Sequence, residues 1–334
     1  MANRFWVGNS GNISDNTNHW SATSGGSPNA TTPTLADNVF FDINSFSIDA
    51  QVVTVDATFA CLSMNWTGAT NTPTFAGTNA VSIYGSLVFI IPMIVTYSSI
   101  ITFRSTTIGN TITTAGQTIQ SNITFSGVGG VWTLQDNLKI VSGKNFNVTS
   151  GTFNSGNKNL DVSFMASTGT ATRVINFGTS TILCNRDWTL SGSGYTLDAT
   201  EASFKLYGSG RLFIGASETY KELWLAGNAT ISGSNNFTNL KFLCKTVILT
   251  ISTTQTVTAK FTTSACSINS SASGTPATLS IPNTATVSAS TIKDITLSGT
   301  GKIIAYNSKN ISGNSGNINF IKCDNNILLG GDEE

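Results

Sequence analysis

Acid–base chemistry of the glycosidase kind needs two carboxyls held roughly 5 to 10 Å apart. The sequence of 334 residues offers few candidates for such a pair. Asp198 with Glu201 and Glu218 with Glu222 are the nearest in sequence, and Asp187 is a further carboxylate beside the first pair. If the chain winds into coils, residues one coil apart lie one above another, so Asp187, Asp198 and Glu201 are the best cluster that can be assembled. Only 17 acidic residues exist, and solvated strand edges and turns account for these more simply. The single histidine, His19, sits in a tryptophan-rich opening with no GxSxG motif elsewhere, so it reads as a structural ring between aromatics. One histidine also rules out zinc sites built from several.

The five cysteines, Cys61, Cys184, Cys244, Cys266 and Cys323, are widely spaced and form no CxxC. Their apolar neighbours, as in Phe242-Leu243-Cys244, point to small buried hydrophobes rather than disulfides or metal ligands. Calcium-loop patterns are absent, and Gly129-Gly130 and Gly330-Gly331 lack the lysine of a phosphate loop. The expectation is a chain with no catalytic, cofactor-binding or metal-ligating residues, and not an enzyme.

Charged residues make up 10% of the chain, with Lys+Arg and Asp+Glu equal at 17 each. Such a balance lacks the field that binds nucleic acid and any polybasic segment for anionic lipid. The 19 Phe, 6 Trp and 6 Tyr, with abundant Val, Ile and Thr, separate the chain from disordered polar sequences. The longest apolar stretch, Leu87 to Val95, is interrupted by Pro92 and is too short to span a bilayer as a helix. The opening Met-Ala-Asn-Arg-Phe-Trp lacks a secretory apolar core, which predicts synthesis in a host cytoplasm and no membrane insertion.

Period-two alternation recurs, as in Thr246 to Ser252 and Phe204 to Tyr207, broken by turns such as Gly208-Ser209-Gly210. Val131-Trp132-Thr133-Leu134 is echoed by Asp187-Trp188-Thr189-Leu190 and by Leu223-Trp224-Leu225. The tryptophan spacings, 56 and 36, are near three and two multiples of 18 to 19. The expected fold is therefore an all-β solenoid of parallel β-helix type, with stacked β-sandwiches as the alternative. Composition divides it into an N-terminal Trp-rich cap or docking module (1–70), a solenoid body (71–284) and a C-terminal β segment with a polar tail (285–334).

Two terminal segments resemble a known pattern. The first runs Trp6-Val7-Gly8-Asn9-Ser10-Gly11-Asn12-Ile13-Ser14-Asp15, then Asn18-His19-Trp20-Ser21, then Ala36-Asp37-Asn38-Val39-Phe40-Phe41-Asp42. It is similar to a WVGGSGNWSD, HWS, DNVFFD signature of phage virion proteins and large bacterial surface proteins, departing from it at Asn9 and Ile13. The second, Tyr306-Asn307-Ser308 with Ile311 to Phe320, resembles the carboxyl-terminal pattern of the same proteins. The resemblance implies a β-rich surface role without a defined catalytic site.

Physically, Trp6, His19, Trp20, Phe40 and Phe41 are the docking or cap candidates: the aromatics supply apolar area, while Asp37 and Asn38 suit an Asx turn. The expected function is a structural component of a bacteriophage particle, a head decoration or fibre or a tail component, exposed on the virion surface. It would assemble with itself, as a trimer, and with neighbouring virion proteins, and contact a host-surface glycan. A tailspike-like depolymerase and a bacterial adhesin are the alternatives.

Overall fold

Alternation sets the architecture. Along Asn122–Leu134, Ile123, Phe125, Trp132 and Leu134 are buried while Thr124, Val131 and Thr133 are partly exposed. A strand with one apolar edge must cover it, and here the cover is the same strand one turn later. The computed structural model, which describes residues 1–322, is a parallel β-solenoid of about 13 turns and has no helix. The stacked-sandwich alternative is excluded, because sandwiches are built of antiparallel sheets. Here the sole antiparallel pairing between described strands joins Asn3–Trp6 to Trp20–Ser21.

One turn shows the plan. The chain runs through Leu160–Val162, Phe164–Ser167 and Arg173–Asn176, then returns as Thr181–Cys184 directly beside Leu160–Val162. Each of the three strands pairs in parallel with its counterparts in neighbouring turns. One ladder stacks Leu160, Ile182, Phe204, Leu223, Leu240 and Phe261. A second carries Val81, Ile101, Ile123, Phe146, Met165 and Trp188. With rungs about 4.8 Å apart, about 13 turns make a rod about 60 Å long.

The return distance is not constant. Partners lie 22 residues apart at Leu160 and Ile182, 25 at Trp188 and Phe213, and 18 at Phe213 and Ile231. Loops at the corners absorb the difference without disturbing the ladders. The tryptophan echo is therefore not the repeat. Trp132 lies between Asn110 and Phe153, Trp188 between Met165 and Phe213, and Trp224 between Lys205 and Lys241. The first two point inward from different ladders, and the third points outward.

The interior is a continuous aromatic and aliphatic stack. Phe103 lies on Phe125 at 5.0 Å between centroids, and Phe125 meets Phe153 at 5.1 Å. Further along, Phe177, Trp188 and Phe204 continue the contact. Burying each such ring contributes roughly 1.5–3 kcal/mol. Ladders cross both compositional boundaries, through Met64 with Leu87 and Thr284 with Lys302, so one core serves the whole described chain. The strand Ile318–Ile321 closes the last described rung and overlaps the end of the carboxyl-terminal pattern. Cys323 and the acidic tail lie outside the described residues.

One buried cation organises a corner. Arg173 is fully buried, and its guanidinium donates to the Ser167 hydroxyl at 2.6 Å and to the carbonyls of Ser191 at 2.6 Å and Ser193 at 2.8 Å. Carbonyls of Gly169 and Ala171 accept further bonds. A planar fork with five donors suits this role, because each N–H finds a fixed acceptor.

Candidate functional site

The opening signature folds as an inward-facing knot of rings. Trp6 and Trp20 are fully buried, and their indoles donate to the carbonyls of Asn9 at 2.7 Å and Ile13 at 2.9 Å. His19 stacks on Trp6 with centroids 4.5 Å apart and bonds the Val7 carbonyl through Nδ1 at 2.9 Å, which places the proton on Nδ1. A side chain at Gly11 would occupy the space of the His19 ring, which explains the glycine there. Asn9 has φ 70°, a conformation favouring Gly and then Asn, so this departure from the pattern keeps the turn. Ile13, the other departure, is buried.

Phe41 stacks on Trp66 at 3.7 Å inside the rod. Phe40 points the other way and packs on Phe5 at 5.0 Å on the partly exposed side. Of the five expected cap residues, then, four are committed to the interior and Phe40 alone faces outward. Asp37 does not form the expected turn with the residues after it. Its carboxylate accepts the Ala2 amide at 3.1 Å and the Thr34 amide and hydroxyl at 3.0 and 2.8 Å, tying the amino terminus to the first turn. Burial alone would raise this carboxyl, but the bonds from Thr34 and Ala2 and the charge of Arg4 outweigh it and hold it below its ordinary value.

Three of the carboxylates weighed for catalysis are engaged with separate partners. Asp187 accepts the Leu212 amide one turn on at 2.9 Å, and Asp198 accepts the Thr200 hydroxyl at 3.1 Å. Glu201 makes an exposed ion pair with Lys221 at 2.9 Å. Glu218 precedes the strand Thr219–Leu225, and Glu222 lies on that strand's outward face. Cys61, Cys184 and Cys266 are buried as expected of small hydrophobes, but Cys244 is only half-buried. Its sulfur lies 3.9 Å from that of Cys266 in the next turn.

The face that gathers chemistry holds Glu222 and Trp224, which the sequence singled out separately without showing that they share it with a run of lysines. On the ladder containing Leu160–Val162, the outward positions of successive turns are Lys139, Asp161, Leu183, Lys205, Trp224 and Lys241. An adjacent outward column stacks Thr181, Ser203, Glu222, Asn239 and Lys260. Lys241 sits over the Trp224 ring at 3.9 Å and pairs with Glu222 at 2.6 Å, while Lys205 approaches the ring at 5.6 Å. Burial would raise the Glu222 carboxyl, but the Lys241 ammonium and neighbouring donors hold it below its ordinary value, so it is ionised.

At the corner beside these columns, Tyr207 is 42% exposed and reaches back across two turns to donate to Asp161 at 3.3 Å. Burial, then the Asp161 charge, pushes its hydroxyl up to about 12. Concavities of about 450 Å³ and 590 Å³ flank Tyr207, and one of about 300 Å³ lies against Trp224 and Glu222. A Cβ at Gly227 would run into the Gly208 carbonyl one turn before, so backbone packs on backbone here and the corner stays open beside the tyrosine. The signal in the sequence is the recurrence Lys205, Trp224, Lys241, at spacings of 19 and 17.

No known family model matches this chain, and no curated protein or solved structure matches it either.

Proposed function

We propose that this protein is a structural component of a bacteriophage particle, a rod on the head or tail surface that assembles with copies of itself and with neighbouring virion proteins. The observation that carries the reading is the opening signature. Its tryptophans and histidine are consumed in closing the first turn of a long stack, a task of construction rather than of chemistry. The terminal resemblances to virion proteins point the same way. Long neutral faces of Ser, Thr and Asn suit side-by-side packing, and three rods packed about their axes would bury the ladders' flat sides.

The depolymerase reading has one specific support, the ionised Glu222 beside Trp224 in a concavity. The other carboxylate of these two columns, Asp161, is three rungs away, about 14 Å along the axis and beyond the reach of paired glycosidase carboxyls, and Glu201, one rung before Glu222, is held in its own ion pair with Lys221. Purified protein incubated with host capsule or lipopolysaccharide tests the choice. The structural reading expects no release of reducing sugar. Release that Glu222→Gln abolishes, with the fold intact, would establish the enzyme instead.

A further inference from the structure

We propose that the outward face holding Lys139, Lys205, Trp224 and Lys241 binds a linear acidic polysaccharide, a uronate-bearing chain laid parallel to the solenoid axis. The inference rests on reading the protein as a surface component, and it names what that surface would grip.

Charge is the first ground. The chain as a whole balances 17 cations against 17 acids, yet this face and its corner carry Lys139, Lys205, Lys241, Lys245 and Lys260 against Asp161 and Glu222. Among the described residues only Lys241 of these five has a carboxylate within ion-pair distance. The remaining four ammoniums are available to a polyanion whose charges repeat along its length.

Stacking is the second ground. Trp224 is half-buried in a concavity, and Tyr207 is exposed and fixed at its far end by Asp161, so both rings are positioned before any ligand arrives. Prepositioned rings spare the ordering cost of binding: the exposed Tyr207 ring offers flat apolar surface to the C–H face of a pyranose, and the Trp224 ring holds Lys241 and Lys205 in place over it. Length is the third. From Lys139 to Thr262 the outward column runs six rungs, about 29 Å, which fits an extended oligosaccharide and far exceeds a single sugar.

The test immobilises hyaluronate, heparosan, alginate and polygalacturonate oligomers beside their carboxyl-reduced forms and single-stranded poly(dT), and measures binding of the purified full chain at physiological salt. At least one uronate oligomer should bind, its reduced form should not, and Trp224→Ala and Lys260→Glu should each weaken binding about tenfold or more. Lys260 is exposed, so its variant keeps the fold, and Lys302→Glu on another ladder should bind as wild type. Absence of binding to every uronate oligomer would overturn the proposal. So would equal binding of reduced glycan or poly(dT), or wild-type affinity in both variants. Particle incorporation is scored separately, so normal incorporation without glycan binding rejects this assignment alone.

Discussion

The imidazole of His19 lies flat on the indole of Trp6, with planes 2° from parallel, and the Trp20 ring meets the same indole edge-on at 5.1 Å. These rings form the floor on which the next turn is laid. Trp6→Ala should therefore cost on the order of 3 kcal/mol or more in urea unfolding, through lost burial and the cavity left behind. Unchanged stability would show that the first turn is held by something else.

Arg173 makes a second stability prediction. Arg173→Met keeps the bulk but removes every donor that the buried guanidinium gives to the Ser167 hydroxyl and to the carbonyls of Ser191 and Ser193. The cost should be about 3 kcal/mol or more. Arg173→Lys should recover only part of it, because three donors cannot replace a planar fork of five. A fully stable methionine variant would contradict this account of the corner.

The Cys266 thiol beside Cys244 lowers the Cys244 pKa below its ordinary value, while the same contact, followed by burial, raises that of Cys266. Among the described cysteines, Cys244 should thus react with thiol reagents in the native state, and Cys61 and Cys184 only after denaturation. With excess oxidised glutathione, Cys244 should form a mixed disulfide that Cys266 resolves, releasing two reduced glutathiones and joining adjacent turns. Peptide mass mapping reads the product. Stable glutathionylation of Cys244 without the Cys244–Cys266 link would count against the geometry.

Asp37 predicts a pH dependence. Its folded carboxyl lies below the unfolded value, so its contribution is complete at neutral pH and is lost as pH falls through the folded value. The stability gap between wild type and Asp37→Asn should be widest near pH 7 and narrow steadily below about pH 5. A gap that stays constant into acid would mean that the Thr34 and Ala2 bonds do not depend on the charge.

Much of the fold was legible because alternation and turn residues are local. Ser203–Leu206 alternates in the sequence as it does in the rod. What failed was register. Trp132, Trp188 and Trp224 look equivalent as a string, yet corner loops of changing length put them on three different tracks. The Lys205, Trp224, Lys241 column was hidden for the same reason, since its spacing shifts from 22 residues at Leu183 to 17 at Lys241. The aromatic opening was legible as structural, but the direction of Phe40 and Phe41 was not, because adjacent residues on a strand always point to opposite faces and the pattern alone does not say which is inside.

The claim at the centre is that this rod is part of a particle. Particles from the producing host, banded on a density gradient and washed in high salt, should retain the chain at a fixed ratio to the major capsid protein, with antibody labels on the outside of head or tail. Recovery of the chain only from the soluble fraction, with gradient-purified particles free of it, would contradict the account.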